Sequence, residues 1–492
     1  WPLSAWLTPE LKPFFGGTYF PLEDQGGRAG FPSLLRGISK GWADERDKLL
    51  REAERVLGSL RDYHEGRAGP ADAGEDLAEK GGEAFEKCFE YFFESFDEQK
   101  GGFGSAPKFP RASNLNFLHR CAAVQGVESE FGQQALKLTT TTLGKMAAGG
   151  IHDHVGGGFH RYSVDDGWFV PHFEKMLYDQ AQIAVNYIDA HLATGDERFA
   201  WVARGIFDYV QRDLTHPDGG FYSAEDADSL LSHEGKEDLE GAFYVWSLDE
   251  IEQALGAEAA FFCDHFGIKE AGNVPNNLDP QGEFLLKNIL HQQQPIGVTA
   301  EAHGLEPEAA TNQLADLLEK LREVRAQRPR PHLDDKVITA WNGLMISAYA
   351  RGATSASSCL ASEQDAYRAA AVRAAEFVHR ELYDESRGVL YRNYREGRGA
   401  NEGFAEDYAY FIAGLLDLYE ATFEIRWLKW ADRLQETMDR LFLDEKAGGY
   451  FNSAVGDPSI ILRLKEDYDG AEPTPSSVAA SNLLRLAAIN HD

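Results

Sequence analysis

Cysteine is scarce in this chain. Cys88, Cys121, Cys263 and Cys359 are the four among 492 residues, and no two of them form a CxxC pair. That excludes a dithiol redox centre and a thiolate metal cage within the sequence, and scattered single cysteines read as small buried hydrophobes of a reducing compartment. Positive charge is also short. Lys and Arg number 48 against 80 Asp and Glu, a formal net charge of −32. Phosphate affinity needs clustered cations, so nucleic acid is excluded as a partner, and an anionic membrane surface is disfavoured. No run of 18 apolar residues occurs, so no membrane-spanning segment is expected. These absences point to a cytoplasmic protein, with most of its carboxylates serving solubility.

What is present is a large apolar complement. The chain is 43% hydrophobic and 12% aromatic, with 30 Phe, 19 Tyr and 9 Trp. That length exceeds one ordinary domain and can bury an extensive core, and the aromatics suit a ring-lined cavity as well as a core. Residues 1–20 read as a hairpin, Trp1 to Leu7 and Phe14 to Phe20, and an amphipathic helix is expected from about Pro32 to Tyr63. A hairpin and one helix cannot stand alone. Residues 1–64 therefore read as the second half of a split α/β unit entered partway, and 65–80, rich in Gly, Ala and charge, as a linker.

From residue 81 onward the pattern is helix after helix, punctuated by glycine–aromatic turns. Gly101-Gly102-Phe103, Gly157-Gly158-Phe159, Gly219-Gly220-Phe221 and Gly448-Gly449-Tyr450 repeat the theme, with a weaker copy at Gly388-Val389-Leu390-Tyr391. Where nothing intervenes, copies sit about 55 to 60 residues apart, room for two helices and a short hairpin. This periodicity predicts a mainly α fold over 81–492, an (α/α)6 toroidal barrel with inner helices around a cavity. The stretch 231–295 breaks the rhythm and reads as an insertion at one mouth. Within it Glu240 to Trp246 looks like a strand, and Ser247 with Glu250 makes a capping box.

Four expected helix starts collect polar groups beside apolar ones. In Trp168 to Asp179, Pro171 suits a first helical position, which would put His172, Lys175 and Asp179 on one face, with Glu174 and Tyr178 beside it. The others are Asp334 to Gly343, containing Asp335, Trp341 and Asn342; Glu402 to Tyr410, containing Glu406 and Asp407; and Asp469 to Ser477, containing Glu472. Acidic residues at helix starts commonly serve only as caps. Four such starts alternating with plainer helices would instead converge on one barrel mouth, where carboxylates bind hydroxyls and Trp or Tyr rings cover apolar sugar faces. His152, His154, His160 and His172 are close in sequence, but the intervening glycines and the lack of a nearby cysteine favour structural or substrate roles over a metal site. No metal and no cofactor is expected. His172 is the candidate general acid/base.

Several of these motifs resemble the spermatogenesis-associated protein 20 family. They are Trp1-Pro2-Leu3 through Gly16-Gly17-Thr18-Tyr19-Phe20-Pro21, Gly157-Gly158-Phe159-His160-Arg161-Tyr162-Ser163, Pro171-His172-Phe173-Glu174-Lys175-Met176-Leu177-Tyr178-Asp179, and Asp334-Asp335-Lys336 with Trp341-Asn342-Gly343-Leu344. The resemblance implies a thioredoxin-like domain followed by a six-hairpin barrel related to glycosidases and N-acylglucosamine 2-epimerases. It also implies that the cysteine motif lies upstream of Trp1, that Pro2 matches the cis-proline beside it, and that the chain stops in an inner helix. The epimerase relatives use two histidines on different helices, whereas His332 and His379 here match no helix start.

Three readings follow. In an epimerase or isomerase, His172 would abstract a proton next to a carbonyl and Glu406 or Asp407 would return it. In a glycoside hydrolase, two of Glu174, Asp335, Glu406 and Glu472 would act as acid and base. In a non-catalytic module, the barrel would bind a saccharide or partner for the thioredoxin-like part. In each, His160, Arg161, Tyr178, Asp179, Trp341, Asn342 and Glu472 are candidate contacts to a small saccharide.

Overall fold

The computed structural model describes residues 3–65, 77–458 and 460–491. Pro2 and most of the expected linker lie outside the described residues. The chain divides into two compact units, Trp1–Glu75 with Asp439–Glu466, and Asp76–Met438 with Asp467–Asp492. The second unit differs from the expected span 81–492 in leaving Asp439–Glu466 to the first.

In the first unit, strands Ser4–Leu7 and Pro13–Gly17 pair antiparallel, with a bulge between Trp6 and Leu7. Trp6 packs on Phe15, Phe20 and Phe31 at centroid separations of 5.5, 5.8 and 6.2 Å, aromatic contacts that brace the two-stranded ribbon. The single helix expected over 32–63 is two. Helix α1 (Phe31–Asp44) ends where Glu45 takes φ −130°, and α2 (Arg46–Glu65) resumes after it.

The second unit is an α/α barrel. Its helices are α3 (Leu77–Ser95), α4 (Ala112–Gln125), α5 (Glu130–Ala148), α6 (Leu177–Thr194), α7 (Glu197–Asp213), α8 (Leu248–Leu255), α9 (Ala259–Phe266), α10 (Ile296–Ala302), α11 (Pro307–Arg325), α12 (Thr339–Ala353), α13 (Gln364–Glu381), α14 (Ala405–Thr422), α15 (Ile425–Phe442) and α16 (Pro475–Asn490). Helices α4, α6, α12, α14 and α16 pack in series as the inner ring. Helices α6, α12 and α14 are buried around most of their circumference, as their apolar and small residues require, while α7 and α13 bury one face and expose the other. Five outer–inner pairs are present among the described residues. At the closest crossing, Gly343 of α12 faces Gly414 of α14, and a Cβ on Gly343 would stand 2.6 Å from the backbone nitrogen of Phe411.

Each glycine–aromatic turn follows an outer helix and precedes the next inner one. In the second unit Phe96 bridges Phe103, His152 bridges Phe159, Thr215 bridges Phe221, and strands Tyr383–Asp384 and Val389–Leu390 pair. Gly157 and Gly158 show why glycine is needed: both have positive φ, and a Cβ on Gly157 would lie 2.2 Å from the carbonyl oxygen of Gly205. These turns place the N-termini of the inner helices at one mouth. Short strands line that mouth: Tyr162–Ser163 with Pro171–His172, then Lys175–Met176 with Ala224–Glu225 and Leu333–Asp334, then Val337–Ile338 with Asn393–Tyr394.

The interruption is longer than the expected 231–295. It opens with the hairpin Asp228–Leu230/Asp238–Glu240 and continues through α8–α11 to Arg325, because α10 and α11 pack with α8 and α9 around Trp246, Phe262, Phe266 and Leu317. The strand expected over Glu240 to Trp246 ends at Glu240, where Gly241 turns the chain with φ +74°. The capping box of Ser247 and Glu250 is present. A buried ion cluster anchors the insertion: Arg325 of α11 grips Asp153 through both carboxylate oxygens at 2.7 and 2.9 Å, and Lys175 adds a third bond at 2.7 Å.

Candidate active site

The helix expected to begin at Pro171 begins at Leu177. Pro171–His172 and Lys175–Met176 are strands, so His172, Lys175 and Asp179 share no helical face. Strand alternation turns Lys175 inward to Asp153 and leaves His172 at the mouth.

At the mouth the side chains form a connected series. The Nδ1–H of His172 donates to Oε1 of Glu240 at 2.7 Å, and its Nε2 stands 3.6 Å from Oε2 of Glu174. Arg161 donates to Glu174 at 2.8 Å and hydrogen-bonds Tyr178. The Tyr178 ring meets Trp341 edge to face at 5.0 Å. Trp341 donates its indole N–H to Glu472 at 3.0 Å, and Glu472 interacts electrostatically with Glu406. Arg392 pairs with Glu406 at 2.5 Å and with Asp407 at 3.0 Å. Asp179 is buried beside Arg161, Glu174 and Glu472, and one of its oxygens has no hydrogen-bond partner.

Local capping explains the placement. Thr474 caps α16 by accepting from the N–H of Ser477, Asp469 accepts from the N–H of Thr474 at 2.6 Å, and Gln182 of α6 donates to the carbonyl of Ala471 at 2.9 Å. Together they hold the loop that presents Glu472. The N-terminus of α12 is held by the Thr339 N–H on the carbonyl of Arg392 at 3.0 Å.

Charge at the site departs from ordinary values. Burial, reinforced by Glu406, pushes the Glu472 carboxyl up to about 8, so it is protonated at neutral pH. Burial also drives Asp179 well above the carboxylate range, against the pull of Arg161. For His172, burial opposes the charge, but the carboxylates of Glu174 and Glu240 outweigh it and raise the imidazole to about 9. His172 is therefore mainly a cation at neutral pH.

Eight of the twelve sequence candidates lie in this series: Arg161, His172, Glu174, Tyr178, Asp179, Trp341, Glu406 and Glu472. The other four do different work. Asp407 is fully buried and spends its oxygens on the N–H groups of Phe404 and Ala340, at 2.8 and 2.9 Å, and on Arg392, so it ties α14 to α12. Asn342 brackets the glycine turn, accepting from Phe221 N–H at 2.8 Å and donating to Phe221 O at 3.0 Å. His160 is buried against Tyr244 and Phe173, and its Nδ1 lies 2.9 Å from the carbonyl of Phe173. Asp335 pairs with Arg395 at 2.6 Å, outside the series. His152 and His154 each hydrogen-bond a backbone carbonyl, Ala147 and Gly149, at 3.1 and 2.9 Å. No cluster of three His, Cys, Asp or Glu side chains is arranged to hold a metal among the described residues.

Sequence reasoning missed Glu240 and Arg392. Arg392 carries no signal of its own. Glu240 stands before the aromatic run Phe243-Tyr244-Val245-Trp246, and only the fold brings it 68 positions back to His172.

The Thioredox_DsbH family model, described as a protein of unknown function, DUF255, matches residues 1–61. Spermatogenesis-associated protein 20 of Homo sapiens is 44% identical over 506 residues, covering 99% of this chain and 63% of that protein. An uncharacterized protein of Caenorhabditis elegans is 39% identical, covering 99% of this chain and 66% of its own length. The chain thus spans somewhat under two thirds of these relatives. Among solved structures, a glycoside hydrolase family 76 mannosidase of Bacteroides thetaiotaomicron aligns with TM-score 0.44 at 10% identity, covering 83% of each chain. A cellobiose 2-epimerase of Spirochaeta thermophila aligns with TM-score 0.34 at 16% identity, covering 86% of this chain and all (100%) of that one. Over nearly its whole length this chain is homologous to spermatogenesis-associated protein 20, and its N-terminal residues match the DUF255 model.

Proposed function

We propose that the barrel is a saccharide-active enzyme working by carboxyl acid–base chemistry, with glycoside hydrolysis as the reaction. The observation that carries this reading is Glu472: a carboxyl protonated at neutral pH, oriented by the Trp341 indole N–H at 3.0 Å, and coupled to Glu406. A protonated carboxyl beside aromatic rings is what a leaving glycosidic oxygen requires as a proton donor. Glu406, paired with Arg392, is the opposing carboxylate that activates water or attacks the anomeric carbon. Trp341 and Tyr178 supply ring faces for the sugar, and Arg161 supplies N–H donors for its hydroxyls. The epimerase reading needs His172 neutral, a form that the flanking carboxylates of Glu174 and Glu240 disfavour. The reading rests on the placement of Glu472 against the Trp341 indole, and its raised pKa supports it.

The test is turnover on a panel of oligosaccharides with products separated by chromatography. Glu472→Gln and Glu406→Gln are each expected to lower hydrolysis by about a hundred- to ten-thousandfold with little change in Tm. Wild-type hydrolysis should fall as pH rises through about 8, where Glu472 ionises. Hydrolysis indifferent to Glu472→Gln, or solvent deuterium entering the sugar carbon skeleton without bond cleavage, would overturn the proposal.

A further inference from the structure

The insertion contributes Glu240 to the mouth, and its geometry is specific. Glu240 ends the hairpin strand Asp238–Glu240, and its Oε1 accepts from His172 Nδ1 at 2.7 Å and from the Phe173 N–H at 3.2 Å. A carboxylate oxygen receiving a backbone N–H can only accept, so the proton lies on Nδ1. The other ring nitrogen is placed differently. Nε2 stands 3.6 Å from Glu174, an ion-pair distance too long for a direct hydrogen bond, and Glu174 already takes Arg161 at 2.8 Å. Tyr162 stacks on the imidazole at 5.0 Å and fixes its plane. The His172 side chain is 26% exposed, so its free edge reaches the mouth.

We propose that Glu240 is a positioning residue, which locks His172 by its Nδ1–H so that Nε2–H is offered to an acceptor oxygen of the bound saccharide. The insertion is thereby part of the site: without its hairpin, His172 could rotate or lose a proton and become an acceptor. The ligand class this fixes is a polyol or glycoside presenting oxygen lone pairs, and a protonated ammonium at that place, which has no lone pair, is refused. The inference rests on the saccharide reading above, though the state of His172 can be measured without any sugar.

The groups that face the imidazole are Glu174 from the segment between the two mouth strands, with Arg161 behind it; Glu240 and Asp228 from the hairpin; and the Tyr162 ring. Burial opposes the charge, and Glu174 and Glu240 together hold it up to a pKa of about 9.

The experiment follows His172 in the full chain by NMR of labelled histidine, assigned with His172→Gln, in wild type, Glu240→Gln and Asp228→Asn. Glu240→Gln keeps the shape and one acceptor for the Phe173 N–H, and is expected to lower the His172 pKa by more than one pH unit. Asp228→Asn, a charge change on the same hairpin without the hydrogen bond, is expected to move it by only a few tenths. Equal shifts in both variants, or none in Glu240→Gln, overturn the proposal. A saccharide arm reads KM for the best substrate of the panel. The KM ratio of Glu240→Gln to wild type is expected to be near one at pH 5.5 and at least about twofold at pH 8, with kcat little changed. A ratio elevated equally at both pH values would mean a purely structural role and would also overturn it. Should no saccharide be turned over while the titration responds as expected, the hydrolase reading falls and the positioning of His172 stands.

Discussion

Glu406 and Asp407 are neighbours in sequence and do different things in the fold. Asp407 holds two backbone N–H groups from two helix starts and an Arg392 nitrogen, all inside the protein. Asp407→Ala leaves those donors and a guanidinium without their acceptor, and is expected to lower stability by about 3 kcal/mol in a denaturant melt. Glu406 is partly open to the mouth, so Glu406→Gln should cost little stability. His172 makes a pH prediction. Its folded pKa of about 9 lies above the unfolded value near 6.5, so the stability it contributes is complete below that value and is lost as pH rises through about 9. Glu472 has the same sign for the opposite reason: its neutral form is favoured in the fold, so stability drains as pH rises from the ordinary carboxylate range to about 8. Thermal melts should therefore fall between pH 6 and 9. Glu472→Gln, which cannot ionise, and His172→Gln, which has no charge to lose, should each flatten part of that slope. A wild-type Tm constant over this range would contradict both assignments.

Among the elements, the α12–α14 crossing and the clamp on the insertion are the two most sensitive joints. Gly343 and Gly414 let two inner helices meet backbone to backbone, and a methyl on either would stand within 2.6 Å of the other helix. Gly343→Ala is expected to destabilise by about 1–3 kcal/mol, as overpacking does, although Ala is the better helix former. At the other joint, Asp153→Ala strands Arg325 and Lys175 as buried cations, and about 3–5 kcal/mol should be lost. Because that clamp anchors α11 and the insertion carries Glu240, hydrogen exchange in residues 228–325 should rise more in this variant than in α12–α14. Uniform loss of protection would argue that the insertion is not separately anchored.

For the chain as a whole, the thiols bear on chemistry. Cys88, Cys121, Cys263 and Cys359 are all free, and burial raises each, Cys121 to about 12 and Cys263 to about 11. Thiol–disulfide exchange needs a low-pKa thiolate with a resolving partner. The chain spanning residues 1–492 is therefore expected to give no turnover in an insulin-reduction assay, and turnover matching a CxxC protein would refute this. No helix among the described residues is long and apolar enough to cross a membrane.

The amino-acid sequence alone determined the repeat, because a glycine that must take positive φ beside an aromatic that must be buried leaves a local mark at each outer-to-inner turn. It likewise determined which segments end at the mouth, since polar clusters before apolar helices are visible one segment at a time. It misread the start of α6, where Pro171 and the spacing of His172, Lys175 and Asp179 mimic a helix. There the strand pairing of Lys175–Met176 with Ala224–Glu225, a contact between distant segments, overrides local propensity. Which polar residues reach the mouth was decided only by tertiary structure. Asp407 and Glu406 have the same local pattern, and burial against Arg392 and the N-terminus of α12 separates them. The protonation of Glu472, the charge on His172 and the arrival of Glu240 from the insertion are sums over groups distant in the chain. Electrostatics and desolvation act through space, so no reading along one strand of sequence contains them.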